Sequence, residues 1–151
     1  MYKTILVPVD GGPTAARGLR EALGLAAEQK ARLVLLNVVD DYPILAEMAP
    51  AVNYEEGRRR LLARGEEVLR DAGKLAAEAG VPCDGVLREV TAERTADAIV
   101  EEAAKRGADL IVMGTHGRRG FNRLAMGSDA ELVIRHAPVP VLLVRAAEAH
   151  A

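Results

Sequence analysis

Gly114, Gly117, Gly127 and Ser128 are spaced as Gly-x2-Gly-x9-Gly-Ser directly after an apolar run ending in Val112-Met113. Glycine leaves the backbone N–H open to close approach, and a helix starting at Ser128 adds unpaired donors and a positive dipole end. That is chemistry for an anion, phosphate above all. A purely structural reading competes with it. Ser128-Asp129-Ala130-Glu131 also spells a capping box, in which Ser128 closes its own helix and touches no ligand. The length of the segment weighs against a plain turn, since connections of about two to six residues are usual between strand and helix.

Asp10 ends an otherwise apolar strand. A carboxylate there can accept from a ribose hydroxyl or an adenine amine, or orient a metal-bound water; Asp-Gly is equally a common strand terminator. His116, inside the glycine loop, either donates to a phosphate oxygen or faces solvent. Arg118, Arg119 and Arg123 are secondary candidates, because guanidinium groups pair well with phosphate but loop arginines are commonly just solvated. For His136 a favourable contact with a helix C-terminus is explanation enough. The chain has no Walker lysine loop, no Gly-x-Gly-x-x-Gly, no Gly-x-Ser-x-Gly elbow and no His-x-x-x-His zinc spacing. The third strand ends Arg88-Glu89-Val90, without a phospho-acceptor aspartate. No residue stands as a general base beside its own orienting partner.

The elements that must position these groups alternate along the chain. Lys3–Val9, Leu33–Val39, Ala108–Met113 and Val139–Val144 are short apolar, largely β-branched runs, and Cys83–Val90 is a weaker alternating one. Helical spacing of apolar residues marks Thr14–Lys30, Glu55–Ala79, Thr95–Arg106 and Ser128–His136. Asp40–Asn53 shows no clear period. Strands alternating with helices, without hairpin signals, predict a parallel sheet covered on both faces. In such sheets a ligand sits beyond the carboxyl ends of the strands, where strand order reverses. Asp10 and Met113-Gly114 both fall on that edge.

Composition narrows the function classes. The 151 residues are half hydrophobic but only 3% aromatic, so the core is aliphatic. A net charge of −2 gives no electrostatic case for nucleic acid or an anionic membrane surface. A lone Cys83 leaves no internal disulfide and fits a reducing compartment. No apolar run approaches the ~18 residues of a membrane span, and the start lacks a signal-peptide pattern. The expectation is one cytoplasmic domain over 1–146 with a frayed tail at 147–151.

Ile5-Leu6-Val7-Pro8-Val9-Asp10-Gly11, Asp109-Leu110-Ile111-Val112-Met113-Gly114, the glycine-serine loop and Pro138-Val139-Pro140-Val141-Leu142-Leu143-Val144 together resemble the universal stress protein family, in its ATP-binding branch. The likeness runs from Tyr2 to Arg145. It implies a five-stranded parallel sheet of order 3-2-1-4-5 with helices on both faces, a Rossmann-like α/β fold. It further implies ATP, ADP or AMP, with Mg²⁺, as ligand. Adenine would lie against Pro8, Val9, Asp10 and the backbone near Val38. Ribose and phosphates would meet Met113, Gly114, His116, Gly117, Gly127, Ser128, Asp129 and Ala130. Gly12 stands where the family commonly has Ser, and Asp129 puts an acid beside the phosphates, either to help hold Mg²⁺ or to favour the helix N-terminus. The implied role is a stress-response regulator, homodimeric through Val139–Val144, in which nucleotide orders Asp40–Asn53 and alters a surface for a regulatory protein partner. A slow ATPase or nucleotide-dependent enzyme, and a dimer with an empty pocket, are the alternatives.

Overall fold

The structure, a computed structural model, describes residues 1–47, 51–116 and 126–146, without the side chains of 51 and 52. Gly117, Arg118, Arg119, Arg123 and the tail from 147 onward lie outside the described residues. Strands β1 (Thr4–Pro8), β2 (Arg32–Asp40), β3 (Cys83–Val90), β4 (Leu110–Gly114) and β5 (Val141–Val144) form one parallel sheet in the order β3-β2-β1-β4-β5. Helices α1 (Pro13–Gln29), α2 (Tyr42–Ala46), α3 (Ala51–Glu78), α4 (Thr95–Lys105) and α5 (Ser128–His136) make the crossovers.

Successive strand residues point to opposite faces, and both faces are apolar. Ile5, Val7, Leu33, Leu35, Leu110 and Val112 pack with Leu19, Ala22 and Ala26 of α1 and Ala72 of α3. Leu6, Val34, Leu36, Ile111 and Met113 pack on the other side with Ala96, Ile99 and Ala103 of α4 and Ala130 and Val133 of α5. Small residues let the helices sit close. A Cβ at Gly65 of α3 would stand 2.6 Å from both Asn37 Oδ1 and Leu87 Cδ1.

Most element ends shift by a residue or two from the periodicity, and two stretches depart for a clear reason. Asp40–Asn53 holds α2 and the start of α3, and a five-residue helix is too short to display a period. Its first turn instead rests on Asp40 Oδ1, which accepts from the Tyr42 N–H at 2.9 Å. The last strand begins at Val141 rather than Val139, because prolines at 138 and 140 cannot donate to a ladder. The two sheet edges are unlike. The β3 edge carries Asp84, Arg88 and Glu89, paired with Arg32, with Glu93, Glu101 and Glu102, and with Arg58. The β5 edge reads Val-Leu-Leu-Val, with Leu142 exposed.

Strand order reverses between β1 and β4, and the sheet comes apart there. The Thr4 carbonyl accepts from the Asp109 N–H at 2.9 Å, so Thr4, Leu6 and Pro8 face β4, while the Val9 N–H bonds the Leu36 carbonyl of β2 at 2.8 Å. Pro8 has no N–H to offer β4. The β1–β4 register accordingly stops at Leu6↔Ile111, whereas the β1–β2 register runs on to Pro8↔Leu36. A proline thus opens a crevice at the switch point, the position where open α/β sheets take ligands.

Candidate functional site

A cavity of about 300 Å³ occupies that crevice. Of the residues named from the sequence, Pro8, Val9, Asp10, Val38, Met113, Gly114, His116, Gly127, Ser128, Asp129 and Ala130 line it; Gly117 lies outside the described residues. Ala15, Leu36, Thr95, Ile99 and Thr115 line it as well and were not named. Thr95 opens α4 after the carboxyl end of β3, so the rule that pointed to Asp10 and Gly114 also reaches it. Ile99 follows one turn later. Leu36, Val38, Ile99, Met113 and Ala130 belong to the apolar layer under α4 and α5, so the cavity has a dry floor. Its rim is fixed from below. Buried Asn37 donates from Nδ2 to the Val9 carbonyl at 2.8 Å.

The polar wall is the start of α5. Gly127 is the N-cap, at φ −62° and ψ 151°, and its carbonyl accepts the first helical bond from the Glu131 N–H at 3.1 Å. Ser128 is therefore the first helical residue rather than the cap, and the capping-box reading fails. Its exposed hydroxyl has no partner among the described residues. The Gly127 N–H donates to the Thr115 carbonyl at 2.7 Å, tying the base of the loop shut. That donor is spent. Those still without an intrahelical partner are the N–H groups of Ser128, Asp129 and Ala130, in the first turn of a helix whose dipole favours negative charge.

Gly114 is small for a reason unrelated to an anion. A Cβ there would meet Thr14 Cγ2 at 2.5 Å and the Thr14 carbonyl oxygen at 3.1 Å, because α1 crosses directly over the end of β4. His116 places Nδ1 2.9 Å from Thr115 Oγ1, while its Nε2 is buried and has no hydrogen-bond partner among the described residues. A buried polar atom left unpaired is costly, and a ligand acceptor would satisfy it. Asp10 turns the chain and also stands in the cavity wall. Oδ1 accepts from the Gly12 N–H at 2.7 Å in an Asx turn, and the residue lines the cavity. Asp129 is half-buried, and desolvation pushes its carboxyl above the usual carboxylate range, with the Ala96 N–H at the start of α4 pulling the other way.

A second polar cluster stands at the end of β2. Asp41, only 4% exposed, accepts from Thr91 Oγ1 at 2.6 Å and from the Tyr54 hydroxyl at 2.7 Å. Those bonds join the end of β2, the first turns of α3 and the turn that delivers Thr95. No local pattern announces them, since the partners are 50 and 13 residues away.

Comparison with known proteins agrees with the fold. Residues 1–145 match the universal stress protein family. The chain belongs to that family. A universal stress protein of Methanocaldococcus jannaschii is 37% identical over 145 residues, spanning 96% of this chain and 83% of the relative. A universal stress protein family member from Burkholderia pseudomallei, of known structure, is 37% identical with a TM-score of 0.79, covering 96% of this chain and 97% of its own. A universal stress protein solved in complex with cAMP is 27% identical with a TM-score of 0.68, covering 97% and 98% respectively. Among the described residues no helix is long and apolar enough to cross a membrane.

Proposed function

We propose that this universal stress protein holds an adenine nucleotide, ATP with Mg²⁺ or its di- and monophosphate counterparts, and acts by binding rather than by turnover. The observation that carries the reading is a convergence. The three donor N–H groups at the start of α5 and the unpaired Nε2 of His116 belong to residues lining one cavity, over an apolar floor suited to a flat base. The volume is at the lower end of small-molecule sites, which run from about 300 to 1,000 Å³. Binding of cAMP by a universal stress protein of the same fold supports the nucleotide class. Mg²⁺ keeps most of its waters and needs only one or two carboxylates beside phosphate oxygens. Asp10 and Asp129 are the carboxylates on the wall, and no group of three or more His, Cys, Asp or Glu among the described residues could hold a metal unaided. A cation would arrive with the nucleotide.

Gly127→Thr tests the assignment. The φ of −62° suits any residue, and a threonine N-cap would both fill the approach to the wall and accept from the Asp129 or Ala130 N–H, so the substitution takes space and donors from the phosphate together. Calorimetry should show wild type binding Mg·ATP and the variant at least ~10-fold weaker, a loss of about 1.4 kcal/mol. Equal affinity in a folded variant would remove the α5 wall from the site. With no base and orienting partner among the described residues, phosphate release should fall far below the ~10 s⁻¹ typical of enzymes. Turnover at that rate, lost in His116→Ala, would make the protein an enzyme. Occupancy would be relayed through Asp40–Asn53, whose inner end Asp41 anchors beside the cavity's α4 wall.

A further inference from the structure

Resting on the nucleotide reading, we propose that Asp129 decides which charge state of nucleotide the cavity admits. Free di- and triphosphates are turned away, and polyphosphate enters only with a divalent cation. Asp129 lies between Ser128 and Ala130, in the same turn whose N–H groups are the phosphate donors. No cationic side chain among the described residues pairs with it. Among the described residues the Ala96 N–H at the start of α4 favours its charged form. Beneath it the wall passes into the apolar layer of Ile99, Met113 and Ala130, and the half-buried carboxylate is screened by solvent only in part. Each added phosphate would bring like charge towards that carboxylate. A divalent cation held between phosphate and carboxylate reverses the sign of the interaction, and the acid becomes a ligand for the complex instead of a barrier to it.

The bland role for this side chain is to cap α4 through Ala96, whose helix has no side-chain cap of its own. Asp129→Asn keeps that bond and removes the charge, which separates the two roles. Calorimetry would compare AMP and ATP, each in EDTA and in excess Mg²⁺, on both proteins. Wild type should bind ATP in EDTA at least ~10-fold more weakly than Mg·ATP, a factor that one like-charge contact near the protein surface supplies. The variant should close most of that gap by gaining affinity for free ATP. An equal gap in both proteins, while AMP still binds, would overturn the role of Asp129 and leave the nucleotide reading standing. Failure of the wild type to bind any adenine nucleotide would overturn both. Should the asparagine variant fail to fold, Asp129→Ser tests the same charge, and a wild type indifferent to Mg²⁺ already refutes the proposal.

Discussion

Asp41 shows how one side chain can hold a corner of the molecule. Its carboxylate is buried at the end of β2 and accepts from Thr91 and Tyr54, and these two bonds, the Thr91 one foremost, hold its pKa below the ordinary 3.8. The same contact raises the Tyr54 phenol. A depressed carboxyl stabilises the fold above its unfolded value, and that contribution is lost as pH falls through the lower folded value. Wild-type stability should therefore decline in acid below about pH 4, and Asp41→Asn should flatten that decline. At neutral pH the variant should lose about 1–3 kcal/mol, read from urea melts, as two donors lose their charged acceptor. An unchanged acid profile would show that the cluster carries no linkage. Such a role was hidden from sequence because its partners are remote. Ser128 shows the opposite difficulty: Ser128-x-x-Glu131 satisfies both a capping box and a ligand loop, and only backbone geometry at Gly127 separates them.

The elements were easier to foresee than the contacts between them. Apolar runs such as Ile5–Val7 and Leu110–Met113 are buried on both faces, so nothing else about them competes with the strand reading. Family likeness supplied the strand order, which local pattern cannot. What sequence hid was close approach: Gly114, which lines the cavity, is also where Thr14 of α1 crosses β4. Gly65 is the same kind of feature on α3. Adding a methyl there pushes on Asn37, whose amide holds the Val9 carbonyl at the cavity rim. Gly65→Ala should cost about 1–3 kcal/mol by overpacking, despite alanine's better helix propensity. It should also weaken nucleotide binding, because the rim moves with Asn37. A variant as stable as wild type in thermal unfolding would mean that α3 can shift freely on the sheet.

For the whole molecule the question is what meets the edges of the sheet. β5 lies at one end of the strand order with an apolar Val-Leu-Leu-Val face and Leu142 exposed, and an edge of that kind invites pairing unless covered. Two-fold pairing with a second copy would cover it in a closed interface. Val141→Lys should then yield monomer, or insoluble protein if the monomer cannot stand alone; wild type sedimenting as monomer at micromolar concentration would count against the pairing. The opposite edge behaves differently, since Asp84, Arg88 and Glu89 are already committed to ion pairs across β3. Regarded as a building unit, a protein pairing this way would have a valence of one. Two copies would exhaust each other's capacity and turn only their guarded edges outward, so the association that hides the sticky strand cannot propagate into a fibre however concentrated the protein becomes.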